Sequence, residues 1–548
     1  MVFDKKKPGN GDIRVADITV FQLSHGLYRS TACALKELVN NAFDANATEV
    51  RIDTNFPEFD FISCIDNGEG MKAAEFERYF TNEGIGACMK REGGNYETGK
   101  YNRPLIGKLG IGMMSMGQLC NSFEIESHYI ENGEKGAFHA EIVLTDVGIP
   151  DEEEIVRTPD FKGKDVEIGK WVYEPIDFDE REKGFKVFST DVKKTFRDEM
   201  KGGMELLAAE GKSEKMSFHL ADLHKRFFNN SKSVRDCKPY LETIWELETL
   251  CPIPYAEGID RYPINRKAFD RSSKREIEFS QALDFLKERQ ARLKAYNFRI
   301  IFDGIELRKY IQLPAVKGVI PRLYFFDFND TVYMSKLKFA GYIFAQASQA
   351  IKPLELSGIQ IRLKDVGIGA YDSTFLKFYE KIETIRNRWV SGEAFVDEGL
   401  EMALNLDRDS FNEHDEHYKT LQKEVHRKVH EVFIDIDSIG RAKKEEKNKE
   451  KQEILIEKLE SVVATHTKKK FVIRSKPLGK ENPPLRINES KKEIIINTDS
   501  TTIGKKNADN VYRFVQLAYE VAVRTTQPGE DVKPIFSDIL KTILREVL

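Results

Sequence analysis

The chain has 548 residues and a formal net charge of −5, from 85 Lys and Arg against 90 Asp and Glu. It is too long for one small domain, and 41 % apolar residues with 36 glycines is an ordinary globular composition that excludes wholesale disorder. The near balance of charge leaves no whole-chain field that would favour nucleic acid, so any such contact needs a local patch.

Cys33, Cys64, Cys88, Cys120, Cys237 and Cys251 are scattered without a C-x-x-C pair and read as reduced cytosolic thiols. The opening MVFDKKKPGN has basic residues but no apolar run behind them, so no secretory signal is expected. The most apolar stretch, Phe339 to Ile351, is far shorter than the roughly 18 to 20 residues that a membrane span needs. The expectation is a cytoplasmic protein with no membrane partner.

In chain order, Leu35, Leu38, Val39 and Ala42 recur at helical spacing, and Val50 and Ile52 then alternate as a strand does. A second strand is expected at Phe59 to Ile65, ended by the turn residues Asp66-Asn67-Gly68. Thr81 to Ile106 holds five glycines and is long for a connection, which points to a functional lid. A helix is expected from Ile111, then strands at Phe123 to Tyr129, Ala137 to Leu144, near Val166 and near Val187. These elements predict an α/β sandwich over 1–200 and a mainly helical connecting region over 201–289.

A second α/β domain is expected over 290–435, opened by a hairpin in FRIIFDGIEL around Asp303-Gly304. It continues with a strand at Ile359, Ile361 and Leu363 and helices at Thr374 to Trp389 and Tyr418 to Val432. A charged helical linker spans 436–470, and a small α/β domain fills 471–548. The fold class is therefore α/β (α+β) and multidomain.

Three segments carry chemistry. On the first helix, Glu37, Asn41 and Asp44 stand at i, i+4 and i+7, so a carboxylate, an amide and a second carboxylate share one face. Such a face can hold a divalent cation through the amide oxygen and orient a water with the glutamate; a merely solvated polar face is the alternative. Asp66, Gly68, Gly70 and Met71 follow a strand: an ionised carboxylate only accepts, which suits the exocyclic amine of adenine, and the glycines admit a ligand close to the backbone. Gly107, Lys108, Leu109, Gly110, Ile111 and Gly112 form a G-x-x-G-x-G at the close of the lid, where free N–H groups attract phosphate. No G-x-x-x-x-G-K-[ST] is present, which excludes a P-loop.

Taken together, ELVNNAFDA, DNGEGM and IGKLGIG resemble the N-box, G1 and G2 motifs of the GHKL superfamily, the ATPases typified by gyrase, the ninety-kilodalton heat-shock chaperone, histidine kinases and MutL. The layout is closest to chaperone-like and MORC-like members that carry a transducer domain.

The resemblance implies a Bergerat-type sandwich with ATP and Mg²⁺ as cofactors, in which Glu37 is the general base and Asn41 binds the metal. It further implies that Asp66 reads adenine, that Asp44 supports the site through hydrogen bonds, and that Gly107 to Gly112 close over the phosphates. The family's later Gly-Thr pair is best matched by Gly184-Phe185, with phenylalanine in place of the threonine. Gly392 to Glu413 resembles the end of a ribosomal-S5-like transducer domain; the chaperone's Leu-Asn-x-x-Arg arginine falls on Arg408, and Lys364 competes by analogy with the lysine of gyrase and MutL.

The resemblance thus implies an ATP hydrolase that acts as a conformational switch in a homodimeric clamp, on a client protein or on duplex DNA. The alternative is a nucleotide-regulated scaffold with little turnover, acting on DNA in genome maintenance or defence. His414, His417, His426 and His430 offer a separate zinc hypothesis, weakened because Arg427 stands where H-E-x-x-H needs glutamate.

Overall fold

The structure is a computed structural model and describes residues 6–16, 30–82, 97–107, 112–144, 165–202, 239–256, 273–309, 322–345, 350–351, 353–378, 387–405, 409–500 and 506–547. Two compact units divide at Ile436.

In the first unit β1 (Gly9–Ala16) precedes helix α1 (Thr31–Asp44). Ser30 caps α1 by accepting from the Cys33 N–H at 3.3 Å. At its other end Asn46 takes a left-handed φ of 58°, while Ala47 N–H bonds Ala42 O at 3.0 Å and Asn46 N–H bonds Phe43 O at 3.3 Å. These are the two hydrogen bonds of a Schellman stop.

Strands β2 (Glu49–Asp53) and β3 (Ile62–Asp66) follow, then the short α2 (Ala73–Glu77) and, after the lid, α3 (Met116–Leu119). Next come β4 (Ser122–Glu131), β5 (Glu134–Leu144), β6 (Asp165–Pro175), β7 (Gly184–Ser189) and α4 (Lys194–Lys201). Helices α5 (Pro239–Leu250) and α6 (Ser273–Ala295) lead to β8 (Arg299–Phe302) and β9 (Ile305–Glu306).

These strands form one nine-stranded sheet in the order β1-β6-β5-β4-β7-β3-β2-β8-β9. Leu35, Leu38, Val39 and Phe43 of α1 share a core with Val50, Ile62, Phe123, Ile125, Phe138 and Val187 of the sheet. The result is the mixed α/β sandwich that the residue pattern predicts.

The second sheet runs β10-β11-β14-β12-β13, built from β10 (Arg322–Val332), β11 (Ser335–Ala345), β12 (Gly358–Leu363), β13 (Val366–Asp372) and β14 (Val390–Glu398). Helix α7 (Glu416–Thr467) lays Leu421, Val425, Val429, Val432 and Ile436 on that sheet. Where the two sheets of the first unit share a core, the buried Glu393 accepts from Tyr255 at 2.8 Å and Tyr342 at 2.6 Å and pairs with Arg362. Burial opposes the Glu393 charge, but Arg362, Lys309 and the two tyrosine hydroxyls outweigh it and hold the carboxyl below its usual range.

The second unit has a three-stranded sheet, β15 (Val472–Lys476), β17 (Glu493–Asn497) and β16 (Leu485–Asn488), with α8 (Lys506–Thr525) and α9 (Val532–Val547). Leu459, Val462 and Val463 of α7 join its core.

Four expectations change. The hairpin at Asp303-Gly304 forms, but β8 pairs parallel with β2, so it extends the first sheet and does not open the second domain at 290. The two helices expected at 418–432 and in the linker are one continuous α7. The helix expected from Ile111 is a 3₁₀ turn, Gly112–Ser115, followed by the single-turn α3; the glycines at 112 and 117 disfavour a longer one. The helix expected at Thr374 does not begin there, because Phe375, Leu376 and Lys377 have φ of 53°, 58° and 62°. Asp372 forces that left-handed turn by accepting from the Thr374 and Leu376 N–H groups, each at 2.8 Å.

Among the described residues no helix is long and apolar enough to cross a membrane. Cys33, Cys64, Cys120 and Cys251 are buried free thiols, and burial pushes Cys120 and Cys251 up to about 12. Cys88 and Cys237 lie outside the described residues.

Candidate functional site

Thirteen of the fourteen residues of α1 are buried, Lys36, Glu37, Asn40 and Asp44 among them; the exception is Asn41. Glu37 and Asp44 are buried, so a solvated face does not account for them; Asn41 alone of the three is partly exposed. Buried polar groups persist where they are paired or at work.

Three glycine-bearing segments meet this helix. A methyl on Gly112 would stand 2.9 Å from Asn41 Nδ2 and 3.5 Å from Glu37 Oε2, which brings the end of the third motif onto the first. Asp44 accepts from the Ile106 N–H at 2.9 Å and the Gly107 N–H at 2.7 Å, tying the lid's exit to the helix. The Glu69 N–H bonds Ala45 O at 2.8 Å, and Asn46 donates to Glu69 Oε1 at 2.7 Å, which seats the Asp66 turn on the helix end. Asn40 donates to Glu37 Oε1 at 3.4 Å.

Asp66 is buried at the end of β3, where its Oδ1 accepts from the Gly68 N–H at 2.8 Å. A Cβ at Gly68 would lie 2.6 Å from Ala45 O, so only glycine fits there. Gly184 is required for a similar reason: with φ +135° it presses against Asp66, and a Cβ would come within 2.0 Å of the Asp66 carbonyl oxygen. The adjacent Phe185 is the register partner of Asp66. Gly184-Phe185 therefore lies beside Asp66, with an apolar side chain and no hydroxyl at 185.

Lys364 forms part of the turn between β12 and β13 and reaches the lid's exit, donating to Leu105 O at 3.4 Å while pairing with Glu401 at 3.3 Å. Lys108, Leu109, Gly110, Ile111 and Arg408 lie outside the described residues, as does 83–96 of the lid. The residue after Arg408 is informative. Asp409 is 4.0 Å from Lys36, the neighbour of Glu37, and accepts from the Gly369 N–H at 3.0 Å.

Some residues here carried no usable sequence signal. Ser127 clasps Met71, accepting from its N–H and donating to its carbonyl, both at 2.8 Å, from the middle of a strand with no motif around it. Arg103, fully buried, donates to Phe43 O at 2.9 Å and to Tyr296 O at 2.6 Å. Lys36 and Asp409 could be sought only as opposite charges beside the motifs.

The histidines do not gather into a metal site. Among the described residues no group of three His, Cys, Asp or Glu could hold an ion. His426 Nε2 faces the carbonyls of Phe375 and Leu376 at 3.0 and 2.9 Å, and His417 is engaged with Val332 O and Gly399 O.

Residues 28–157 match the family model described as histidine kinase-, DNA gyrase B-, and HSP90-like ATPase. A similar protein is HgiDII of Herpetosiphon aurantiacus, named as a candidate type II restriction enzyme and 33 % identical over 109 residues. The matched stretch covers 20 % of this chain and 16 % of that relative. The matched region contains all three motifs, so residues 28–157 form a domain of the histidine kinase-, DNA gyrase B- and HSP90-like ATPase type, the GHKL type.

Proposed function

We propose that the chain binds ATP with magnesium at α1 and hydrolyses it, using the nucleotide to drive opening and closing of a dimeric clamp. The observation that carries this reading is the convergence on α1, between Glu37 and Ala45, of Gly112, Gly107 and the Asp66 turn.

In this reading Asp66 accepts from the adenine amine, with Gly68, Gly70 and Met71 as the close backbone beside it. Gly107 to Gly112 supply N–H groups to the phosphates, and Asp44 fixes the lid's exit. Glu37 takes the proton from the attacking water, its carboxylate oriented by Asn40. The amide oxygen of Asn41 is a hard oxygen donor that suits magnesium, which would supply charge neutralisation for the phosphates when bound. Arg408 or Lys364 spreads charge on the terminal phosphate. The Lys36–Asp409 contact supports Arg408, and the Lys364–Leu105 contact supports Lys364.

A second reading, a nucleotide-regulated scaffold with little turnover, draws support from Phe185 opposite Asp66, where a hydroxyl that could assist the carboxylate is missing. The name of HgiDII makes duplex DNA the target to test first in either reading. Phosphate release stimulated by duplex DNA, with a steep loss of stimulation as salt rises, assigns DNA over a client protein.

Replacing Glu37 with alanine tests the base: turnover is expected to fall by about 100-fold or more while ATP binding stays within a few-fold of wild type. Asp66→Asn is expected to weaken binding itself. Equal phosphate release by wild type and Glu37→Ala overturns the assignment. Tight retention of ATP by wild type without release favours the scaffold.

A further inference from the structure

The turn that carries Lys364 is held in a conformation that its residues do not favour. Lys364 and Asp365 have φ of 53° and 67°, a pair of left-handed values that tight hairpins normally assign to Asn-Gly. Non-glycine residues stay there only when their surroundings over-determine them.

The restraint falls on Asp365, whose side chain is fully buried. It accepts from the Tyr296 hydroxyl at 2.6 Å and pairs with Arg292 at 3.0 Å and Arg289 at 3.5 Å. Both arginines are themselves fixed by Asp397, at 2.8 and 2.9 Å. With one residue of the turn locked, the Lys364 side chain can be directed to Leu105 O.

The same tyrosine also faces the lid. Its carbonyl accepts from Arg103 Nε at 3.0 Å and Nη2 at 2.6 Å, and Arg103 extends its other amine to Phe43 O at the end of α1. Phe43 and Phe298 stand against the guanidinium at 4.8 and 5.4 Å. Arg103 thereby satisfies carbonyls at the C-terminal ends of α1 and α6, where a cation is favoured. Leu105 lies two residues beyond it, so the lid's exit and the Lys364 turn are referenced to one residue, Tyr296.

We infer that Tyr296, with Asp365 on its hydroxyl and Arg103 on its carbonyl, is a positioning residue that sets Lys364 against the lid's exit beside the phosphate-binding segment. The inference rests on the proposed ATPase reading, and it acts through Lys364.

The test is Tyr296→Phe, which deletes only the hydroxyl, made in wild type and in Lys364→Ala, with kcat and KM for ATP measured on the full chain. In wild type, kcat is expected to fall about 10-fold with KM within twofold; in the Lys364→Ala background the same change is expected to leave kcat unaltered. Amide hydrogen exchange without nucleotide is the second measurement, with faster exchange expected at 105–107 and at 364–365 and no change elsewhere in the first unit. Equal losses of kcat in both backgrounds mean a general structural role and overturn the inference, as does unaltered exchange at those amides. Absence of Glu37-dependent turnover in wild type rejects the ATPase reading, and exchange alone then decides the relay.

Discussion

Asp44 illustrates how a single side chain can be read from spacing and still be doing something other than touching a ligand. Its two carboxylate oxygens take two successive backbone N–H groups, Ile106 and Gly107. An amide at this position turns one acceptor into a donor facing a donor. Asp44→Asn is therefore expected to loosen the lid's exit and weaken ATP binding by about 10-fold, the usual scale for losing a charge-assisted hydrogen bond, as titration calorimetry would read. Asp44 was legible because seven residues separate it from Glu37 on a helix. Arg103 was not, since a lone arginine in a glycine-rich loop carries no period, and the carbonyls it serves belong to residues 43 and 296.

Elements were legible where a pattern is local, and their partners were hidden where pairing crosses the chain. The β8–β9 hairpin announces itself by Asp303-Gly304, yet nothing in its alternation says that it pairs with β2, some 250 residues earlier. Asp303 explains that placement. It accepts from Thr54 N–H and Thr54 Oγ1 at 2.7 Å each and from the Tyr240 hydroxyl at 2.9 Å, locking the hairpin turn to the end of β2 and to α5.

Burial is the largest influence on this carboxyl and raises it to about 6, against hydrogen bonds that favour its charge. A carboxyl raised on folding stabilises most when protonated. Its contribution is complete below the unfolded value of about 4 and is lost as pH rises through about 6. Denaturant midpoints of wild type and Asp303→Asn are accordingly expected to diverge between pH 4 and 7, with wild type falling relative to the variant as pH rises.

At the scale of the molecule the chain divides at Ile436 into two units with separate cores. All the motif residues and both candidate phosphate cations precede that boundary. A fragment of residues 1–436 is expected to unfold in a cooperative transition and to bind ATP within a few-fold of the full chain, as calorimetry and nucleotide titration would establish. The ATPase-type segment was readable from its motifs. The boundary at 290 was not, because the first sheet draws β8 and β9 from beyond α6 and its core takes in Phe344 and Phe395 of the second sheet.

The enclosure of α1 bears on how mutants of this protein have to be interpreted. A random screen will collect inactive alleles along the whole of 31–44, and most of them will be misfolded and will say nothing about chemistry. Loss of activity in this helix, Glu37→Ala included, therefore identifies a chemical role only where the variant still melts like the parent.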